Sequence, residues 1–227
     1  ACACVARFSR ARVTPVAIEV LDRNSIAAVE SQYAFGLAQD AGALLLVSVD
    51  GSAEEVERAS RVVEEILREG GGYDLVRALT KEDEDRLWDV RRALSPAIKK
   101  FGTLKFNEDV VVPRSRVPEL IEQVEEIGRR HQTFVVNFGH AGDGNIHVNF
   151  MCDREDREAV RRAREAVRAT FAVAVSLGGT ISGEHGIGYV KAPYLEMAIN
   201  APTVEAMKRI KRALDPNGIL NPGKMFV

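Results

Sequence analysis

The stretch His140-Ala141-Gly142-Asp143-Gly144-Asn145-Ile146-His147 decides how this sequence is read. Asp143-Gly144 is among the strongest two-residue hairpin signals, because a type I′ turn needs φ > 0 at both central positions and these residues tolerate it. With the turn placed there, the register follows: Gly142 faces Asn145, Ala141 faces Ile146 and His140 faces His147. Directly opposed residues share a sheet face with Cβ atoms roughly 4.5–5.5 Å apart, so the two imidazoles are expected to converge. Side chains alternate along a strand. Asn145, His147 and Asn149 then form a polar face, while Ile146, Val148 and Phe150 point into a core.

A second cluster answers the first. Thr180-Ile181-Ser182-Gly183-Glu184-His185-Gly186-Ile187-Gly188 is a glycine-punctuated loop carrying an adjacent acid and histidine. Three of the four histidines of the chain thus lie in two glycine-rich motifs.

Composition sets the bounds. The chain has 227 residues, enough for one large domain, and 46% of them are apolar, as in soluble globular proteins. A net charge of −2 gives no argument for nucleic acid or an anionic membrane as partner. No apolar run approaches the roughly 18–20 residues of a membrane-spanning helix, and no signal peptide is visible. The sequence lacks an initiator Met, which reads as a processed, truncated or dissected product. Cys2, Cys4 and Cys152 are too few and too poorly spaced for a disulfide scaffold or a four-cysteine zinc site, so a cytoplasmic location is expected.

Around the two motifs, periodicity predicts strands over 16–21, 43–49, 73–79 and 105–112, and the hairpin over 134–150. Helices are expected over 24–33 (capped by Asn24 or Ser25), 53–69, 81–98, 118–130, 154–177 and 201–214. Thr80, with an acid three residues on, signals a capping box. The pattern fits an α+β fold, an antiparallel sheet with helices mainly on one face, ferredoxin-like and open to duplication. No dinucleotide fingerprint or P-loop is present.

His140, His147 and Glu184 form a two-histidine, one-carboxylate set that suits Zn²⁺ or Mn²⁺ with open coordination positions. Pairing geometry alone leaves a second reading open, with hydrogen-bonded sheet histidines and a surface acid. If Glu184 binds a metal, its neighbour His185 points elsewhere and is available as a general base near neutral pH. Arg91 offers a bidentate grip on a carboxylate, although most arginines on amphipathic helices are simply solvated. Lys105, with Asn107 on its face, could bring positive charge to a site mouth or end its strand in solvent.

Gly139-His-Ala-Gly-Asp-Gly-Asn-Ile-His147-Val-Asn149, Ser182-Gly-Glu-His-Gly186 and Asp215-Pro-Asn-Gly-Ile-Leu-Asn-Pro-Gly-Lys224, in this order, resemble the C-terminal domain of FAD-linked oxidases. These are vanillyl-alcohol-oxidase-like flavoproteins, in the branch of D-lactate, glycolate and D-2-hydroxyglutarate dehydrogenases. The resemblance runs from Val16 to the tail. It implies one substrate- and metal-binding domain over residues 1–227, with the FAD-binding domain outside this chain. It implies His140, His147 and Glu184 as metal ligands and His185 as the group that takes the substrate's hydroxyl proton. Arg91 would hold the substrate carboxylate, with Ser95, Lys105 and Asn149 as further substrate-facing groups and Asn221 of the tail toward the cofactor.

The implied reaction passes hydride from the Cα of a D-2-hydroxy acid to FAD. Expected partners are the FAD-binding domain, the hydroxy acid and an electron acceptor or electron-transfer subunit, which could hold the protein at a membrane periphery. The oligomeric state stays open, a homodimer included. Three rival expectations are a metal-dependent hydrolase, a catalytically silent binding module, and a non-redox use of flavin as in alkyl-glycerone-phosphate synthases.

Overall fold

Apolar runs alternate with capped helices, and the computed structural model, which describes residues 1–11 and 13–226, turns them into a five-stranded sheet. The strands are β1 (Ala17–Asp22), β2 (Ala43–Ser48), β3 (Leu104–Val111), β4 (Phe134–His140) and β5 (Asn145–Cys152). They lie in the order β2-β1-β4-β5-β3, every neighbouring pair antiparallel. β3 and β4 therefore run parallel with β5 between them, joined by the crossover helix α5 (Val117–Arg130). This is the split β-α-β unit of ferredoxin-like folds.

One face of the sheet carries α1 (Cys2–Arg10), α3 (Ala53–Glu69), α5 and α6 (Arg157–Ser176) over a core that includes Phe8, Ile66, Leu120, Phe150 and Phe171. The other face carries α2 (Arg23–Tyr33) and α4 (Lys81–Ala97), which bury Val29 and Leu94 against Leu21, Val136 and Met151. Each such fully buried side chain contributes ~1.5–3 kcal/mol of apolar burial. The chain ends with α7 (Leu195–Ala198), α8 (Ala201–Leu214) and an irregular tail. No helix among the described residues is long and apolar enough to cross a membrane.

Helices thus cover both faces rather than mainly one. The α4 stripe of Val90, Leu94 and Ala97 needs an apolar partner, and the second sheet face supplies it. The segment 73–79 forms no strand. Asp74 takes a left-handed φ of 50°, and Val76 and Leu79 stay 71% and 79% exposed, so the alternation there has no sheet edge to bury against. The first helix was not foreseen, and its Cys4 and Phe8 are core residues. The two capping boxes, Ser52 with Glu55 and Thr80 with Asp83, form as their spacing predicts. Asp22, not Asn24 or Ser25, caps α2 by accepting the Ser25 N–H at 2.7 Å.

The hairpin forms with a different register. His140 faces Asn145, Gly139 faces Ile146 and Phe138 faces His147, across a loop of residues 141–144. The loop is tied to both neighbouring strands. The Gly142 N–H donates to Ile18 O at 3.3 Å and the Val112 N–H donates to Gly144 O at 3.1 Å. Gly144 has φ 75°, and a Cβ there would lie 2.1 Å from Val112 O, so only glycine allows this contact. The slip relative to a two-residue turn is two positions. Because side chains alternate with period 2, an even slip leaves every residue on its expected face. His140 and His147 become diagonal neighbours instead of opposed ones.

Candidate active site

Two cross-strand rows of the second sheet face build the site. One runs Glu19, His140, Asn145, Val111 and the next Leu21, Phe138, His147, Asp109, across β1, β4, β5 and β3. The α2–α4 layer covers one half of this face, and the histidine end projects past it. The side chains of His140, His185 and Glu184 are 35%, 41% and 49% exposed, so the cluster is reached from solvent.

The rings of His140 and His147 lie edge to face with centroids 5.3 Å apart, and His185 stacks on His147 at 5.4 Å. His140 Nε2 and His147 Nε2 lie 3.7 and 3.3 Å from the same carboxylate oxygen of Glu184. One ligand atom from each of the three lies within 4.8 Å of the others. Burial, and then the neighbouring His140, push the His147 pKa down to about 4, against the opposing pull of Glu184. His147 is thus neutral at physiological pH, the form that ligates a metal. Its Nδ1 is buried without a hydrogen-bond partner. His140 Nδ1 hydrogen-bonds Glu19 Oε1, while its Nε2 faces Glu184. The donor set and its geometry fit a divalent ion of the Zn²⁺ or Mn²⁺ kind.

The loop bearing Glu184 and His185 is laid along the outer edge of β3. Val111 and Thr180 exchange both backbone hydrogen bonds, at 3.1 and 2.8 Å. Gly183, Glu184 and His185 then donate their backbone N–H groups to Asp109 Oδ2 at 2.9, 2.6 and 2.8 Å. Lys191 places its ammonium on Asp109 Oδ1. Burial raises the Asp109 pKa, but Lys191 and the N–H groups of His185 and Glu184 outweigh it and hold the carboxyl at about 2. His185 Nδ1 lies 3.4 Å from Asp109 Oδ1.

Arg91 sits on α4 one position beyond the buried Val90. Its Nε–H donates to Glu19 Oε2 at 2.6 Å and its guanidinium lies 4.6 Å from the Phe138 ring centre. Ser95, one turn on, meets Lys105 of β3, whose Nζ donates to Ser95 Oγ at 3.4 Å. Burial, and then Lys99, lower the Lys105 pKa. Asn149 is fully buried. Its Nδ2 bonds Val136 O at 3.2 Å and His147 O at 3.1 Å, and its Oδ1 lacks a partner. Asn221 lies in an exposed bend with φ 47° and, among the described contacts, does not touch the histidine cluster.

The structure therefore joins His140, His147, Glu184, His185 and Arg91 in one place. Ser95 follows Arg91 by one helical turn and meets Lys105, which lies four residues before Asp109 on β3; Asn149 is buried beneath, and Asn221 lies apart. The sequence reading passed over Glu19 and Asp109, the two acids that hold the cluster together. For Glu19 a signal was available, an acid within the apolar run Ile18 to Leu21, a placement that is costly unless the carboxylate is paired; Asp109 follows Lys105, Asn107 and Glu108 in a mixed strand and carried no such signal.

Comparison with known proteins places the chain in a family. The sequence profile described as FAD linked oxidases, C-terminal domain, matches residues 1–225. The chain is similar to the glycolate oxidase subunit GlcD of Bacillus subtilis, 38% identical over 216 residues that cover 95% of this chain and 46% of the relative. It is similar to a D-lactate dehydrogenase of Archaeoglobus fulgidus, 32% identical over 222 residues that cover 98% of this chain and 48% of the relative. The chain thus spans about half the length of these curated relatives. Among solved structures, p-cresol methylhydroxylase with substrate bound superposes with a TM-score of 0.70 at 14% identity, over 93% of this chain and 46% of that one. At that identity the likeness is one of fold.

Proposed function

The chain belongs to the C-terminal domain family of FAD-linked oxidases, and from that premise we propose that it forms the substrate- and metal-binding part of a flavin-dependent 2-hydroxy-acid oxidoreductase, whose flavin-binding domain lies outside residues 1–227. One observation carries the reading: His140, His147 and Glu184 converge within 4.8 Å on a solvent-reached face that also holds Arg91 and His185. The relatives' names support the substrate class, since glycolate and D-lactate are both 2-hydroxy carboxylates.

Oxidation of such a compound to the 2-oxo acid removes the hydroxyl proton and, with the Cα hydrogen, two electrons. Arg91 gives its Nε–H to Glu19, which leaves the Nη donors to grip the substrate carboxylate, and Phe138 supports the guanidinium plane. His185 accepts the hydroxyl proton. Asp109 beside its Nδ1 favours the proton there, so Nε2 carries the basic lone pair. Lys105 and Ser95 extend the polar wall on the β3 side. When bound, a divalent ion at His140, His147 and Glu184 supplies Lewis acidity toward a coordinated oxygen, and a flavin supplies the two-electron acceptor.

Elemental mass spectrometry of the chain, dialysed against Zn²⁺ or Mn²⁺ and then against buffer, tests the reading. About one equivalent of metal is expected in the wild type and almost none in Glu184→Ala. Equal metal in both, or none in either, removes the metal centre from the proposal.

A further inference from the structure

Glu19 is the one acid within the apolar run Ile18-Glu19-Val20-Leu21, and it is 3% exposed. A buried carboxylate needs a partner for each oxygen. Glu19 divides its two oxygens between the two functional halves of the site. Oε1 bonds His140 Nδ1, because β1 and β4 pair with Glu19 directly opposite His140. Oε2 accepts the Arg91 Nε–H at 2.6 Å, brought over the same face by α4.

We propose that Glu19 is a positioning residue for both groups. It fixes His140 as the Nδ1–H tautomer, so that Nε2 faces Glu184 as a ligand, and it pins Arg91 through Nε, so that the Nη groups face outward. Glu19 itself stands behind the first of these side chains and beside the second. The tautomer follows from bond-making capacity alone. An ionised carboxylate only accepts hydrogen bonds, so the nitrogen against it must carry the proton. What then binds at Nε2 and at Arg91 rests on the reading given under Proposed function.

The isosteric variant Glu19→Gln separates the two roles. Guanidinium has no acceptor and never loses its proton in a protein. The amide oxygen must therefore stay with Arg91, and the amide NH₂ must turn to His140 Nδ1. Nδ1 then accepts, the ring proton moves to Nε2, and the ligand nitrogen is blocked.

The experiment is long-range ¹H–¹⁵N correlation spectroscopy of the metal-free 227-residue chain, followed by Zn²⁺ titration of wild type and variant. Wild-type His140 is expected as Nδ1–H and the variant as Nε2–H, with the Arg91 Nε–H resonance retained in both. Zn²⁺ affinity should fall by ~10–100-fold in the variant. Nε2–H in the wild type overturns the proposal, as does Nδ1–H with undiminished Zn²⁺ affinity in Glu19→Gln. The wild-type spectrum decides even if the variant misfolds. An Nδ1–H wild type that binds no Zn²⁺ supports the positioning by Glu19 and sinks the metal reading separately.

Discussion

Lys191 and Asp109 form a buried ion pair beneath the loop that presents Glu184 and His185, at 3% and 0% exposure. The pair neutralises a carboxylate whose other oxygen gathers three backbone N–H groups of the loop. Removing one partner of a buried pair strands the other charge. Lys191→Met should therefore cost ~3–5 kcal/mol and lower Tm by roughly 10 °C or more. It should also weaken metal binding, because the loop loses its anchor. Calorimetry of the variant measures the first effect and metal titration the second. A Tm within a degree or two of wild type would mean that the pair contributes nothing to holding the loop.

Glu108, the residue before Asp109, points to the opposite face of β3, into the main core, with Oε2 unpartnered. Burial raises its pKa from 4.5 to about 7, Lys191 opposing and Asp109 reinforcing. The sign follows from proton binding. Between pH 4.5 and 7 the folded state holds this proton and the unfolded state does not, so stability falls as pH rises through that window and changes little outside it. The contribution amounts to at most about 3 kcal/mol. Glu108→Gln should flatten the dependence of stability on pH between these limits and be at least as stable as wild type at pH 7.5. Denaturant unfolding at several pH values reads this directly. Parallel curves for the two proteins would remove Glu108 as the cause.

The cluster of His140, His147, Glu184 and His185 was legible because its signals are local. Two glycine-rich motifs carry His140, His147, Glu184 and His185, and strand alternation puts both hairpin histidines on one face whether the turn has two residues or four. The register itself was not legible. It depends on hydrogen bonds from the loop to Ile18 and Val112, more than thirty residues away or on another strand. Glu19 and Asp109 escaped for the same reason. Their partners, Arg91 at a separation of 72 and Lys191 at 82, are brought near only by the folded sheet. The strand over 73–79 failed because alternation describes a surface willing to pair, and no edge is offered there.

Arg91→Lys tests the carboxylate grip in the full-length enzyme. Lysine keeps the charge but has a single nitrogen, which cannot hold Glu19 and a substrate carboxylate in the fork geometry of the guanidinium. Loss of one charge-assisted hydrogen bond is worth ~1.5–3 kcal/mol, or roughly 10–100-fold. The expected result is a rise in KM for a 2-hydroxy acid with a smaller change in kcat, since His185, the proposed proton acceptor, is untouched. Steady-state kinetics with glycolate and D-lactate provide the measurement. An unchanged KM for both would take Arg91 out of the substrate site.

Gly183 is where the loop passes closest to the hairpin. A Cβ there would lie 2.6 Å from Asn145 Nδ2 and 2.7 Å from Val111 Cγ2, closer than such atoms approach. Asn145 is 5% exposed and Val111 is held in the sheet, so neither can retreat far. Gly183→Ala should push the loop off β5 and β3 and carry Glu184 away from His140 and His147, whose Nε2 atoms it meets at 3.7 and 3.3 Å. Metal affinity should drop by at least ~10-fold, while stability falls by only ~1–3 kcal/mol, the usual range for overpacking. The disproportion is the point of the test. If Gly183→Ala weakens metal binding no more than it weakens the fold, the close approach of loop to hairpin serves packing alone and does not set the position of Glu184.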